Sequence, residues 1–199
     1  MIVAIVLSAG ESSRMGSLKA LLPISGISFV ERIVRGFRAT KVGKIVVVLG
    51  HRAAELQKEI VQLPVTIVVN EDYAKGQLSS LIAAIRSLEA KKSTEGVDGI
   101  LVHLVDHPFI NPALVDHMID CFYASNKLII VPRYKGRRGH PVIFSSRLFS
   151  ELLNTPLEEG AKAVVHAHRD ETLEIETDYE GVTIDIDTPE EYRRFLGRE

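Results

Sequence analysis

The opening of the chain constrains its fold more than any other stretch. Residues 2–7 read IVAIVL, an unbroken apolar run that predicts a β-strand buried on both faces. Small residues follow at once, so the strand must end in a turn, and Gly10 and Gly16 can adopt backbone angles closed to other residues. Arg14 and Lys19 place two cations on this loop. The composition is typical of a loop that binds several phosphate oxygens through backbone N–H groups and fixed positive charge.

The spacing of this loop excludes two common phosphate-binding motifs. No G-x-G-x-x-G follows the strand, which excludes the dinucleotide-binding fingerprint. The second glycine is not followed directly by Lys and Ser/Thr, which excludes the Walker A motif. A purely structural strand-to-helix turn would also fit the small residues, but such a turn does not need both cations.

Composition favours one globular domain spanning residues 1–199. Of the 199 residues 46% are hydrophobic, which is enough for a substantial core. The formal net charge of −2 offers no general attraction to nucleic acid or to an anionic membrane, so we expect small-molecule partners. The single cysteine, Cys121, excludes an internal disulfide and a cysteine-built zinc site. Without a signal-like start or an apolar stretch of membrane-spanning length, we expect a cytoplasmic protein.

The rest of the chain alternates between short apolar runs and amphipathic segments. Strands are predicted at residues 44–50, 65–70, 99–105 and 128–132, near Val142, and at 173–177 and 182–187. Helices are predicted at 28–40 and 51–61, after Ser79 or Ser80 as a cap, at 112–123, 146–153 and 158–168, and from Thr188. Such alternation implies a parallel sheet with right-handed crossovers. The sequence therefore predicts an α/β fold, a three-layer α/β/α, Rossmann-like, mostly parallel sheet.

Three aspartates are candidate metal ligands. Asp106 ends the strand at 99–105, and in open parallel sheets the carboxyl ends of the strands form the ligand crevice. A carboxylate that faces a triphosphate needs a divalent cation between them, which makes Asp106 a natural Mg²⁺ ligand. Asp185 and Asp187 share one face of the last predicted strand, so their spacing does not separate them. The structural alternatives are a turn role for Asp106 and helix capping for Asp187.

A basic, glycine-broken loop follows the strand at 128–132. It reads RYKGRRGHPV over residues 133–142 and contains four cations. These side chains either form a solvated loop or contact an anionic substrate, and their composition does not decide between the two. His107, next to Asp106, is interpreted as a turn-packing residue rather than as a base or a metal ligand.

Several elements, in order, resemble the MobA-like nucleotidyltransferases. The opening LSAGESSRMGSLK (residues 7–19) is similar to that family's L-x-A-G-x-S-x-R-M-G-x-x-K. GQLSS (76–80), VDHP (105–108) and DIDTPEE (185–191) follow in the same order, with GHPV (139–142) between the last two. Within the family, GHPV and the alanine of the opening loop resemble the molybdenum cofactor cytidylyltransferases. The resemblance implies a fold of the nucleotide-diphospho-sugar transferase type.

The resemblance also implies a role for each matched residue. It implies nucleotide binding by Leu7, Ser8, Ala9, Gly10, Ser12, Arg14, Lys19, Gly76, Ser79 and Ser80. It implies acceptor binding by Arg137, Gly139, His140 and Pro141. It implies Mg²⁺ binding by Asp106 and Asp187, with Asp185 as the alternative to Asp187, and a catalytic role for Arg14, Lys19 and Asp106.

The reaction implied by the resemblance is Mg²⁺-dependent transfer of CMP from CTP to a phosphorylated acceptor of the molybdopterin type, with release of pyrophosphate. A molybdoenzyme is then a candidate recipient of the product. The alternatives are a guanylyltransferase, a sugar- or alcohol-phosphate nucleotidyltransferase of the same fold, and a non-catalytic carrier of a nucleotide or cofactor. An NAD(P)-linked oxidoreductase is disfavoured, since Leu49 and Gly50 stand where an acid would end the second strand.

Overall fold

The computed structural model describes residues 1–11, 15–90 and 96–196. Its strands are β1 (Ile2–Ser8), β2 (Pro23–Ile24), β3 (Ile27–Ser28), β4 (Lys44–Leu49), β5 (Thr66–Val69), β6 (Gly99–Leu104), β7 (Ile129–Tyr134), β8 (Arg137–Arg138), β9 (Val142–Ser145) and β10 (Thr172–Glu176). Its α-helices are α1 (Phe29–Arg38), α2 (Ala53–Ile60), α3 (Gln77–Ala90), α4 (Pro112–Ala124), α5 (Phe149–Asn154), α6 (Ala161–Ala167) and α7 (Pro189–Arg193). Short 3₁₀ helices occupy Lys19–Leu21, Tyr73–Lys75, Ser146–Leu148, Arg169–Glu171 and Glu180–Thr183.

One sheet forms the centre of the molecule. Its strand order is β10-β7-β9-β6-β1-β4-β5, with β8 paired to β7, while β2 and β3 form a separate hairpin. β1 pairs in parallel with both β4 and β6, and β10 pairs in parallel with β7. β9 and the short β8 run antiparallel to their neighbours. The expected mostly parallel sheet is confirmed.

β1 lies in the middle of this sheet, and all seven of its residues are buried. Side chains alternate along a strand, so an apolar residue at every position supplies both faces at once. Ile2, Ala4 and Val6 pack into one apolar cluster, and Val3, Ile5 and Leu7 pack into another on the opposite face. The unbroken apolar run at the start of the sequence is thus explained by helices that cover both faces.

Helices form the two outer layers. Apolar residues of α1, α2 and α4 complete the first cluster, and those of α3, α5 and α6 complete the second. The predicted three-layer α/β/α arrangement is therefore confirmed. Among the described helices, none combines the length and the apolar character needed to cross a membrane.

The predicted strand at residues 182–187 is wrong. The chain forms the 3₁₀ helix Glu180–Thr183 there and then runs on outside the sheet. Val182 and Ile186 are buried although the segment pairs with no described strand, and Ile186 packs with Ile24 and Phe29 in a third, smaller cluster. The Val182 carbonyl accepts a hydrogen bond from the backbone N–H of His140, at 2.8 Å. The alternating apolar residues that predicted a strand are therefore explained by packing in this cluster and by loop contacts.

Candidate active site

The site begins in the turn after β1. Backbone hydrogen bonds tie this turn to both neighbouring strand ends: Val105 N–H donates to the Leu7 carbonyl at 3.1 Å, and His51 N–H donates to the Ala9 carbonyl at 3.0 Å. At Gly50 a Cβ atom would lie only 2.7 Å from the Ala9 carbonyl oxygen. A side chain at position 50 would therefore push the β4 end away from the turn. The carboxyl ends of β1, β4 and β6 form one edge, as the sheet topology requires.

Lys19 lies between two carboxylates that come from distant parts of the sequence. Its ammonium contacts the Asp187 carboxylate and lies 3.8 Å from Oδ2 of Asp106. The Lys19 side chain is only 11% exposed, so solvent screens these interactions less than at an open surface. Three of the residues implied by the resemblance are therefore brought together.

The position of Asp187 depends on a backbone contact and a helix cap. Ile186 N–H donates to the carbonyl of Asp106 at 2.9 Å, which holds this segment against the end of β6. Thr188, not Asp187, caps α7, and Glu191 completes the capping box. The alternative of helix capping for Asp187 is therefore wrong, and its carboxylate is left to face Lys19. The predicted shared strand face of Asp185 and Asp187 is also wrong, and Asp185 is exposed.

The charges at this point fit a divalent cation. Burial raises the pKa of the Asp106 carboxyl, Asp187 raises it further, and Lys19 opposes the rise. Oδ1 of Asp106 is buried and has no hydrogen-bond partner among the described residues, so its lone pairs are available to a ligand. Within the described residues no group of three or more His, Cys, Asp or Glu side chains is placed to hold a metal. Two carboxylates suffice for Mg²⁺, which keeps several waters and takes further ligands from phosphates.

A first cavity of about 240 Å³ opens beside these charges. Among its lining residues are Leu7, Ser8, Ala9, Gly10, Lys19, Gly76, Ser80 and Asp106, all of which the resemblance implied for the site. Ser12 and Arg14, implied for the same loop, lie outside the described residues. The structure thus brings most of the implied nucleotide-binding residues to one place, while their roles stay predictions.

The predicted cap at Ser79 or Ser80 is wrong, because α3 already begins at Gln77. Both serines lie inside its first turn and are buried. The buried Asn70 side chain donates to both hydroxyls, at 2.9 and 3.0 Å, and the Ser79 hydroxyl donates to the Gly76 carbonyl at 2.7 Å. Ser79 does not line the first cavity, whereas Ser80 does. Ser79 therefore fixes the loop before α3 rather than contacting the cavity.

A second cavity of about 380 Å³ adjoins the first, and Leu7 and Gln77 line both. Its apolar lining comes from Leu78, Leu81, Val102, Val131, Val142, Phe144, Ala161 and Val165. Its polar lining includes Arg138, His140, Lys162 and His166. The two cavities differ sharply in character, although they share a wall.

The structure places only half of the implied acceptor-binding residues in the second cavity. Gly139 and His140 line it, whereas Arg137 and Pro141 do not. Arg138 lines the cavity in place of Arg137, since successive side chains of the two-residue strand β8 point to opposite sides. The sequence alone does not show which of the two β8 side chains faces the cavity.

Three largely buried histidines lie close together, and one of them, His140, lines the second cavity. The ring centroids of His107 and His140 are 5.0 Å apart, and those of His103 and His107 are 6.1 Å apart. Burial lowers the pKa of all three imidazoles, that of His140 to about 4, so they are neutral near pH 7. His107 is buried against these rings, which agrees with its interpretation as a turn-packing residue.

Sequence reasoning missed several cavity residues. Tyr73 and Gln77 line the first cavity, and Lys162 and His166 line the second. The spacing of Lys162 and His166, four residues apart on α6, predicts a shared helix face, but not which cavity that face borders. Their placement depends on packing between segments distant in sequence.

The fold is a three-layer α/β arrangement with two carboxylates and a lysine near the carboxyl ends of its parallel strands, and comparison with known proteins gives the family. Residues 4–172 match the MobA-like NTP transferase domain, so the chain belongs to this family and is a nucleotidyltransferase. It is 26% identical over 189 residues to the molybdenum cofactor cytidylyltransferase of Escherichia coli K12, covering 94% of this chain and 92% of that protein.

Two further similarities extend over the full length of the chain. Nicotine blue oxidoreductase of Paenarthrobacter nicotinovorans is 28% identical and covers 98% of this chain and 96% of its own length. The manganese complex of Rv0371c from Mycobacterium tuberculosis H37Rv is 29% identical, with a TM-score of 0.81, and covers 100% of this chain and 99% of that one. Similarity across the whole length therefore includes proteins named for different reactions.

Proposed function

We propose that this protein transfers CMP from CTP to a phosphorylated acceptor of the molybdopterin type and releases pyrophosphate. The observation that carries the proposal is the convergence of Lys19, Asp106 and Asp187 at the edge of the first cavity. These residues are far apart in sequence, and their charges suit a polyphosphate together with a divalent cation.

The reaction needs no covalent intermediate on the protein. An oxygen of the acceptor phosphate attacks the α-phosphorus of the nucleotide, the bond from that phosphorus to the β-bridging oxygen breaks, and pyrophosphate leaves. An acceptor phosphate that is already ionised needs no general base. The protein therefore has to position both substrates and compensate their charge.

Each residue at the edge of the first cavity has a defined task in this proposal. The backbone of the turn at residues 8–10 lies against the triphosphate, and the Lys19 ammonium compensates the negative charge on the leaving pyrophosphate. Asp106 and Asp187 would hold Mg²⁺, and Asp187 is preferred to Asp185 because its carboxylate contacts Lys19 beside Asp106. When bound, this ion would supply charge stabilisation at the phosphate oxygens. Arg14 is proposed to assist Lys19.

The second cavity is proposed as the acceptor site. Its lining is mostly aliphatic and aromatic, so it offers few hydrogen-bond partners to a polyhydroxylated ring. A sugar- or polyol-phosphate acceptor would lose hydrogen bonds to water there without replacing them. This lining favours an acceptor that packs the faces of a flat ring against the wall over a sugar phosphate or an alcohol phosphate.

The test is pyrophosphate release in the presence of Mg²⁺, with each of the four NTPs and with molybdopterin or inositol 1-phosphate as the acceptor. We expect release with CTP and molybdopterin and much less with inositol 1-phosphate. Preference for GTP would replace cytidylyl by guanylyl transfer. Release only with inositol 1-phosphate would overturn the acceptor assignment.

A carrier protein or an oxidoreductase would behave differently. A non-catalytic carrier would bind molybdopterin and deliver it to a molybdoenzyme without releasing pyrophosphate. An NAD(P)-linked oxidoreductase would be expected to end its second strand with an acid, but β4 ends at Leu49 and Gly50 follows. We further propose that residues 1–199 act as one domain in the cytoplasm, where a molybdoenzyme would receive the product.

A further inference from the structure

Among the described residues, one cation that lines the second cavity, Lys162, has no charge partner. Arg138 lines the cavity, but its guanidinium pairs with Glu174 at 2.6 Å. His140 is neutral near pH 7, because burial lowers the pKa of its imidazole to about 4. Lys162, by contrast, makes no ion pair or side-chain hydrogen bond within the parts of the chain that the structure describes.

Lys162 is exposed on α6, and the helix itself is firmly placed. Val164 is buried in the second apolar cluster, and Val165 lines the cavity beside Lys162. At the end of the helix the His168 imidazole contacts Glu151 at 2.7 Å and Glu171 at 2.6 Å. The position of the Lys162 backbone is therefore set by core packing on one side and by this contact at its end.

From this arrangement we propose that Lys162 is a specificity-determining residue that binds an anionic group of the acceptor. The apolar wall receives the ring system, and the ammonium binds the anion at the rim. The acceptor class is thus a molecule that combines a flat ring, whose faces pack on the apolar wall, with an anionic group, and a neutral acceptor is bound less tightly. The inference rests on the proposed function, because it assigns the second cavity to the acceptor.

The test compares equilibrium binding of molybdopterin, followed by fluorescence, to four proteins: the wild type, Lys162→Ala, Lys162→Arg and Lys58→Ala. Lys58 is an exposed lysine on α2 that lines neither cavity, so it controls for the general effect of removing a surface charge. We expect Lys162→Ala to weaken binding about tenfold, the size expected for one charge-assisted hydrogen bond. Lys162→Arg should largely retain molybdopterin binding, and Lys58→Ala should bind molybdopterin as the wild type does.

CTP affinity, measured by calorimetry with Mg²⁺, should be the same in all four proteins. Equal molybdopterin affinity in Lys162→Ala and Lys58→Ala would overturn the inference while leaving the proposed function intact if transfer persists. A selective loss in Lys162→Ala, with no transfer by the wild type from any NTP, would sustain the inference and overturn the proposed function. Absence of molybdopterin binding by the wild type would overturn both.

Discussion

The two cavities share Leu7 and Gln77 but are built for different chemistry. The first contains a lysine between two carboxylates and the backbone of a tight turn, all at the carboxyl ends of parallel strands. The second is walled mainly by apolar side chains, and its lining residue Lys162 lies on a helix. We therefore assign the charge-rich cavity to the nucleotide and the more apolar cavity to the acceptor, as proposed above.

Asp106→Asn should have the largest effect on activity. This effect should be confined to the function of the first cavity. The change keeps the size of the side chain but removes a negative charge, so we expect transfer to fall about 100-fold or more. Pyrophosphate release with saturating CTP and acceptor measures this loss. Molybdopterin affinity should stay near the wild-type value, and a loss of acceptor binding as large as the loss of transfer would break the separation of the two cavities.

Lys19→Ala should reduce donor binding next most strongly. Removing the ammonium leaves Asp106 and Asp187 facing each other and removes a cation from the triphosphate, so we expect CTP affinity to fall about 10- to 100-fold. Calorimetric titration of CTP with Mg²⁺ provides the measurement. Unchanged CTP affinity would remove Lys19 from the proposed site.

Replacing a glycine by alanine should affect stability differently at the two cavities. A Cβ on Gly139 would overlap the Val182 carbonyl oxygen, so Gly139→Ala should destabilise the protein by about 1–3 kcal/mol. A Cβ on Gly10 would meet no atom within 4 Å, so Gly10→Ala should keep its stability within about 0.5 kcal/mol.

Denaturant unfolding measures both stabilities, and calorimetry measures binding. Gly10→Ala should nevertheless weaken CTP binding, because the triphosphate is proposed to lie against the backbone at this turn. A Gly10→Ala protein that is stable and binds CTP normally would contradict that placement.

The smallest effect concerns pH and the helix that borders the second cavity. Hydrogen bonds to Glu171 and Glu151 raise the pKa of His168 above its ordinary value. Its stabilising contribution is therefore full below about pH 6.5 and is lost as pH rises through the raised pKa. Because the three groups are largely at the surface, we expect only about 0.2–1 kcal/mol.

Thermal unfolding of the wild type and His168→Gln between about pH 5.5 and 9 isolates this contribution from those of the other histidines. The difference in midpoint between the two proteins should shrink as pH rises. A difference that is constant over this range would show that the charge on His168 does not matter.

Local sequence pattern was enough to predict the central strand and one side of the first cavity. The apolar run of β1 requires cover on both faces, and Asp106 follows the last residues of β6 directly. Parallel strands bring such ends to one edge, so Lys19 and Asp106 could be expected to meet. The order of strands and helices was enough to predict that Lys19 and Asp106 lie near each other.

Other features depend on contacts between distant segments. Residues 182–187 have the alternation of a strand, but Ile186 packs into a small cluster rather than into the sheet. Arg138, rather than the predicted Arg137, lines the second cavity, and only the structure shows which side chain of β8 faces it. Lys162 could not be assigned, since an exposed lysine on a short helix has no distinguishing sequence pattern.

The most direct test of the central claim is a crystal structure with Mn²⁺ and a non-hydrolysable CTP analogue, with the metal located by its anomalous signal. We predict one Mn²⁺ peak within coordination distance of Asp106 and Asp187, with the triphosphate against residues 8–10 and Lys19. A nucleotide bound with its metal away from Asp106, or bound outside the first cavity, would contradict the claim.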